Sequence, residues 1–172
     1  LRRRLQQFWY DAADELGMEV RPIGRRVHLA GVVDSVPLDV RIVGDGKFAK
    51  LVFTASSPQL TTQIVATPRA GARFFRGASL FAGPSELFQL GQGSFDEHYL
   101  VGAPDEADAR RWLAPLRVAQ LETLLETFDE VRIGDGALRA ELKFDMRSVS
   151  HMADWGRLVG FSVGLFTAAT SG

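Results

Sequence analysis

The sequence contains no cysteine and no asparagine among its 172 residues. The first absence excludes disulfides, catalysis by a thiol and any thiolate metal site, and the second excludes N-glycosylation. A strong excess of one charge is also missing, because 20 basic residues nearly balance 21 acidic ones. A net charge this close to zero gives no global attraction to nucleic acid or to an anionic membrane.

Long apolar runs are absent as well. The longest, Leu158 to Ala169, is interrupted by Ser162 and Thr167 and falls short of the ~20 residues that cross a bilayer. The first ten residues are basic at the start but have no apolar run behind them, so they are not predicted to be a signal peptide. The sequence therefore predicts a soluble, cytoplasmic protein with no membrane span in the visible chain.

What is present is typical of a globular protein. The composition is 46% hydrophobic and 24% charged, as in ordinary soluble domains, and the length predicts a single domain over residues 1–172. Few of the predicted strands are separated by a helix, which favours an α+β fold. We expect a mainly antiparallel sheet of six or seven strands, with about four helices packed chiefly on one face.

The spacing of the apolar residues places these elements. Steps of three and four predict a first helix from Leu5 to Leu16, capped by Gly17. Alternation predicts strands joined by turns at residues 34–35, 44–46 and 134–136. The predicted strands are residues 27–31, 36–42, 48–53, 61–66, 95–101, 131–133 and 138–144, and the further helices are residues 84–90, 104–114, 115–128 and a last one from a cap at Ser148 or Ser150 to Ala169.

Residues 68–94 break this pattern with five glycines and two prolines. Arginines alternate there with phenylalanines, a combination that can hold phosphates and stack bases. The same residues could instead form a lid, with the phenylalanines covering the sheet and the arginines in water. No specific nucleic-acid signal accompanies them. The candidate binding residues from this region and the strand after it are Arg69, Arg73, Phe74, Phe75, Arg76, Asp96 and His98.

Local catalytic motifs are incomplete. Residues 160–164 spell G-x-S-x-G, but this motif needs a strand-to-helix turn and then an acid and a histidine, and neither residue type follows it. Gly91-Gln92-Gly93 lacks the third glycine and the following helix of a dinucleotide site. We therefore predict no catalytic residue and no cofactor.

The histidines suggest one arrangement that only the fold could create. Asp96 and His98 would project from one face of a strand, and His151 and Asp154 would share a helical face. If those faces met, they could bind a metal or run acid–base chemistry. The simpler interpretation is that these four residues are ordinary polar side chains on the surface, in contact with water. No metal site is predicted.

The last helix carries a stripe of small residues at four-residue spacing, namely Gly156, Gly160, Gly164 and Ala168. Small residues at this spacing let another backbone approach closely. The backbone could belong to the protein's own sheet or first helix, or to a second protomer or a flanking membrane segment. A protein partner or self-association through this helix is therefore one expectation.

Residues 94–101 resemble a strand, F-D-x-x-[FY]-x-V, of bacterial domains of unknown function. In those domains a helix pair and an Asp-Gly hairpin follow, which here would be residues 104–128 and 131–144. The resemblance covers about fifty residues. It implies an α+β domain, often attached to other segments in longer bacterial proteins, and offers no catalytic residue.

These observations support three functional expectations in order. The first is a non-catalytic domain that acts through protein or peptide contact, because every local catalytic motif is missing. The second is a binder of small molecules or lipids, with residues 68–94 as a lid over one sheet face. The third is a hydrolase whose site is assembled only in three dimensions.

Overall fold

A computed structural model describes residues 2–23, 26–70, 86–145 and 150–168. Within those ranges the chain forms nine β-strands, five α-helices and one 3₁₀ turn. In chain order they are α1 (Arg2–Leu16), β1 (Glu19–Ile23), β2 (Arg26–Val33), β3 (Val36–Val43), the 3₁₀ turn (Gly46–Phe48), β4 (Lys50–Ser56), β5 (Ile64–Pro68), β6 (Glu86–Phe88), α2 (Gly93–His98), β7 (Tyr99–Ala103), α3 (Glu106–Trp112), α4 (Pro115–Thr127), β8 (Glu130–Gly134), β9 (Ala137–Lys143) and α5 (Met152–Thr167).

All nine strands join one sheet in the order β1-β2-β3-β4-β9-β8-β5-β7-β6. Every pair of neighbouring strands in it is antiparallel. The predicted α+β fold with a mainly antiparallel sheet is therefore confirmed. The sheet is wider than predicted, because β1 and β6, which form its two edges, were not expected.

The turns explain why the hairpins form where the sequence places them. Asp34 and Ser35 have φ angles of 49° and 66°, and Asp135 and Gly136 have φ angles of 52° and 73°. Two consecutive residues with positive φ make the type I′ turn, whose twist matches that of antiparallel strands. Gly17 also has positive φ, at 64°, and ends α1 as the predicted cap.

The segment before β7 differs from the prediction. The described part of the expected helix at residues 84–90 contains strand β6, and the expected strand at residues 95–101 begins as helix α2. The carboxylate of Asp96 accepts hydrogen bonds from the backbone N–H groups of Leu90 and Gln92, each at 2.7 Å. These bonds hold a helical turn against the preceding loop. Phe95 is therefore buried from a helix and not from a strand as predicted.

Helices α1, α4 and α5 pack against one face of the sheet, which we call the core face. Each of its central strands contributes buried apolar side chains there, including Leu29, Val40, Phe53, Ala140 and Val131. Helix α5 crosses β3 and β4 and contacts α1 and α4 on either side. Among the described residues, no helix has both the length and the apolar character needed to cross a bilayer.

The glycine stripe of α5 lies partly inside this packing. A Cβ atom added at Gly156 would lie 3.0 Å from the side chain of Leu16 in α1, and one added at Gly160 would lie 3.3 Å from Val33 in β2. A Cβ atom at Gly164 would have no neighbour within 4 Å in the part of the chain described. The first two glycines therefore allow close contact with the protein's own first helix and sheet.

The opposite face of the sheet carries ion pairs, and we call it the ion-pair face. The carboxylate of Glu141 lies 2.7 Å from Lys50 and 2.6 Å from Arg139, and Glu130 pairs with Arg132. Both glutamate side chains are buried, whereas their basic partners are partly exposed. The long basic side chains therefore cover the carboxylates on this face.

Candidate functional site

A cleft opens between the first half of α1 and one end of the sheet. Its volume is about 880 Å³, within the range of sites that bind small molecules. Residues from α1, β2, β3, the loop before β4 and the segment after β9 form its walls. They are Leu5, Gln6, Trp9, Val27, Ile42, Gly44, Asp45, Gly46, Ala49 and Phe144.

Two of the walls are apolar because of ordinary secondary-structure periodicity. Leu5 and Trp9 are one helical turn apart, so they share the face of α1 that points to the sheet. Val27 and Ile42 lie on the core face, in register with the alternation of β2 and β3. Trp9 is only 3% exposed, whereas Leu5, Val27 and Ile42 are half-buried. The core face thus continues into the cleft without being fully covered.

The third wall is the loop of residues 44–49, which we call the cleft loop. Gly44 has a φ of 83°, and a Cβ atom there would lie 2.7 Å from the carbonyl oxygen of Phe48. The N–H of Phe48 donates to the carbonyl of Asp45 at 3.1 Å, and the N–H of Ala49 donates to that of Gly46 at 3.2 Å. These bonds make a tight 3₁₀ turn that glycine permits and a side chain would obstruct.

Both ends of the cleft loop are fixed to the sheet. Ala49 is buried, and its carbonyl accepts a hydrogen bond from the N–H of Phe144 at 2.9 Å. Phe48 does not begin a strand as predicted, because β4 starts at Lys50. Its side chain points away from the core and is 75% exposed, with the ammonium of Lys47 5.1 Å from the ring centre.

The chemistry of the cleft is mainly that of an apolar surface. Among the lining residues that the structure describes, Asp45 is the one ionisable group and Gln6 the one amide. Both are exposed, so their polar atoms can reach water. Such an arrangement suits an elongated apolar group with a polar end at the mouth.

The predicted candidates Arg69 and Asp96 meet at the other edge of the sheet. They line a smaller hollow of about 440 Å³ together with Gln89, Gly93 and Glu97. The Nε of Arg69 donates to the backbone carbonyl of Asp96 at 2.6 Å, and the Asp96 carboxylate is occupied by two backbone N–H groups. Their polar atoms therefore hold α2 against the end of β5.

The remaining predicted candidates are not assembled into a site by the described structure. His98 is exposed at the end of α2, not on a strand face shared with Asp96. Arg73, Phe74, Phe75 and Arg76 lie outside the described residues. Phe88, from the same irregular stretch, is half-buried in β6 beneath the guanidinium of Arg110, 5.0 Å from the ring centre.

His151 and Asp154, which were predicted to share a helical face, both lie at the start of α5. His151 occupies the N-cap position, so the cap is not Ser150, and Ser148 lies outside the described residues. Its ring is 5.7 Å from that of Trp155, and Asp154 pairs with Arg157 at 3.4 Å. In the described part of the chain, no group of three or more His, Cys, Asp or Glu side chains is arranged to hold a metal ion.

The serine of the G-x-S-x-G motif is buried in the middle of α5. Ser162 donates to the carbonyl of Leu158 at 2.7 Å and accepts from the amide of Gln120 in α4 at 2.6 Å. As predicted from the sequence, it lies within the last helix. It is therefore not at the strand-to-helix turn that a catalytic serine of this motif occupies. Its hydroxyl joins two helices in the core.

Sequence reasoning did not identify the cleft. Its apolar residues follow the same periodicities as core residues, so Leu5, Val27 and Ile42 could not be distinguished from a filled interior. One signal was available in the sequence, namely Phe48 directly after Gly44-Asp45-Gly46-Lys47. A large apolar side chain at a glycine-rich turn has few core neighbours to pack against.

Comparison with known proteins gives one structural likeness. No family model matches the chain, and a search of the curated proteins found no match. Among solved structures, the chain resembles the crystal structure of the mycobacterial trehalose monomycolate transport factor A, TtfA, with a TM-score of 0.58. The likeness covers 91% of this chain and 97% of that chain at 13% sequence identity. At this identity the chain shares the fold of TtfA.

Proposed function

We propose that the protein binds a lipid and holds its acyl chain in the cleft between α1 and the sheet. The observation that carries this proposal is the cleft itself, about 880 Å³ with apolar walls. Leu5, Ile42 and Phe144 are left half-buried there, and removing such surface from water is favourable. An acyl chain would complete the burial that the protein's own side chains leave unfinished.

The size of the expected effect follows from the area that the chain would bury. Each buried methylene contributes about 0.8 kcal/mol. Shortening the acyl chain by two carbons should therefore weaken binding roughly tenfold. A graded dependence on chain length would distinguish the cleft from a site that recognises only the polar end of the ligand.

The shared fold favours a lipid over the protein or peptide partner that the sequence analysis placed first. TtfA is named as a transport factor for trehalose monomycolate, and this likeness supports the second expectation. Most of the lid that accompanied that expectation, residues 71–85, lies outside the described residues. The described parts of residues 68–94 lie at the opposite edge of the sheet from β2 and β3, so they do not cover this cleft.

Quenching of Trp9 tests the proposal directly. A fatty acid brominated along its chain quenches an indole only at short range, and Trp9 lines the cleft. We expect saturable quenching in the wild-type protein and its loss in Trp9→Phe. Trp112 and Trp155 remain in both proteins as internal references, and calorimetry with the unbrominated acid gives the affinity of each variant.

Two valines of β2 form a matched pair for the same measurement. Val27 lies on the floor of the cleft, whereas Val32 is 59% exposed on the ion-pair face. Val27→Phe fills the cleft and should weaken binding by roughly tenfold or more, whereas Val32→Phe should bind as the wild type does. Equal affinity in the two variants, or no quenching in the wild type, would show that acyl chains do not occupy the cleft.

A further inference from the structure

The cleft has an open end and a closed end, which the burial of its neighbouring side chains distinguishes. Val27 and Ile42 line the cleft from the sheet and are half-buried. The next residues inward on the same face, Leu29 and Val40, are paired in register and are fully buried. The surface of β2 and β3 that a ligand can reach therefore ends before Leu29 and Val40.

Helix α1 closes the cleft at a similar depth. Leu5 is half-buried at the start of the helix and Gln6 is exposed. Trp9, one turn further along, lines the cleft but is buried. Ala12 and Ala13 belong to the next turn and are buried in the core cluster. The indole of Trp9 is thus the innermost side chain of α1 that lines the cleft.

We infer that Trp9 sets the length of the acyl chain that the cleft accepts. The methyl end of the chain would lie against the indole, and the polar end would lie at the mouth, beside the exposed Gln6. Further methylenes would have to enter a packed core, which strains the side chains around them. This inference rests on the proposed function, because it assigns the residue that limits the ligand in the same cleft.

The residues that follow Trp9 in α1 make this limit adjustable. The next two side chains on the buried face of the helix, Ala12 and Ala13, are small, and Leu16 is almost two turns away. A smaller side chain at position 9 would therefore leave an apolar cavity that continues the cleft. Apolar cavities of this kind stay dry and take up apolar ligands, so Trp9→Ala should admit additional methylenes.

Calorimetry with a series of saturated fatty acids, lengthened two carbons at a time, tests the inference. For the wild-type protein we expect a gain in affinity of roughly tenfold per step up to a limiting length, and no gain beyond it. In Trp9→Ala the limit should move to longer chains. The first acid beyond the wild-type limit should therefore bind Trp9→Ala roughly tenfold more tightly than it binds the wild type.

Two further variants control this measurement. Tyr10→Ala removes the neighbouring aromatic side chain of α1, which is exposed, and should keep the wild-type limit. Because the loss of a buried indole is among the most destabilising core changes, Trp9→Leu keeps more of the packing and should move the limit in the same direction by a smaller amount. Circular dichroism reports whether each variant is folded. A folded position-9 variant that keeps the wild-type limit would show that the inference is wrong.

The position of a bromine along the acid gives a test in the wild-type protein itself. Of two acids of equal length, the one brominated near its methyl end should quench Trp9 more strongly than the one brominated near its carboxyl end. The Trp9→Phe protein supplies the background from the other two tryptophans. Equal quenching by the two bound acids, or an affinity that rises with length without a limit, would overturn this inference alone. Failure of every acid to bind would overturn the proposed function.

Discussion

The side-chain nitrogen of Lys50 lies 2.7 Å from Oε2 of Glu141, and this contact joins β4 to β9 on the ion-pair face. Burial alone would raise the pKa of the Glu141 carboxyl. The hydrogen bond from Lys50 and the positive charges of Arg139, Lys50 and Arg132 outweigh burial and lower the pKa below its ordinary value. The ionised form of Glu141 is therefore favoured by folding.

This shift predicts how stability depends on pH. A carboxyl whose pKa is lowered by folding stabilises the protein above its unfolded pKa, and that contribution disappears as the pH falls through the folded value. The free energy of unfolding should therefore decrease as the pH falls below about 4.5. Urea unfolding of Glu141→Gln should show lower stability at neutral pH and a flatter decline in acid. Asp154→Asn, at an exposed side chain, is the control, and an unchanged slope in Glu141→Gln would contradict the prediction.

Two neighbouring glycines of the stripe, Gly160 and Gly164, predict opposite effects of the same substitution. A side chain at Gly160 would meet Val33, so Gly160→Leu should lower the free energy of unfolding by about 1–3 kcal/mol. Gly164 has no neighbour among the described residues, so Gly164→Leu should raise it by about 0.8 kcal/mol through helix propensity. Thermal unfolding and gel filtration check both. An altered oligomeric state with unchanged stability in Gly160→Leu would instead indicate a second protomer at this position.

The first type I′ turn is strained at Ser35, which has a φ of 66°. A non-glycine residue in this region costs roughly 1 kcal/mol. Ser35→Gly should therefore raise the free energy of unfolding by up to about 1 kcal/mol. The reverse change, Gly136→Ser in the second turn, should lower it by a similar amount, since a Cβ atom there would meet only ordinary contacts at 3.7 Å. Changes of the same sign in both variants would contradict this account of the turns.

The buried pair of Gln120 and Ser162 predicts a non-additive effect. Ser162→Ala removes the acceptor of the Gln120 amide at 2.6 Å and leaves a buried donor unpartnered, which costs about 1–3 kcal/mol. The double variant Gln120→Leu, Ser162→Ala removes both polar groups and should recover much of that loss. Chemical denaturation of the four proteins in the cycle measures the coupling. A loss in the double variant equal to the sum of the two single losses would show that the two side chains are not coupled.

Much of the fold could be predicted because local signals and the final structure agree. The periodicity of α1, the Pro115 helix start and the turns at Asp34-Ser35 and Asp135-Gly136 all appear in the structure. Each depends on residues that are close in the chain. The resemblance to bacterial domains of unknown function stays a prediction, although the helix pair and the Asp-Gly hairpin that it implies are present.

The errors arose where distant or polar contacts decide the structure. The carboxylate of Asp96 holds α2 by accepting hydrogen bonds from two backbone N–H groups. Such bonds cannot be predicted from the alternation of hydrophobic and polar residues. The short strand β6 exists because it pairs with β7 at the sheet edge. The cleft combines α1, the end of β3 and the segment after β9, so its outline depends on how far α1 extends over the sheet. How far α1 extends over the sheet is set by tertiary packing, so it cannot be predicted from the sequence of any single segment.

The strand order has a consequence for how the molecule assembles. Strands β1–β4 are consecutive in the chain and occupy one side of the sheet, and β5–β9 occupy the other, so the two blocks meet along a single seam between β4 and β9. The block of β1–β4 can organise from short-range hairpins. In the other block β5 pairs with β8 across more than sixty residues, and closing the seam joins residues about ninety positions apart, the kind of pairing that slows folding. Residues 57–63 connect the blocks outside the strands. A chain nicked there would yield two fragments that carry complementary edges and are suited to reassociation.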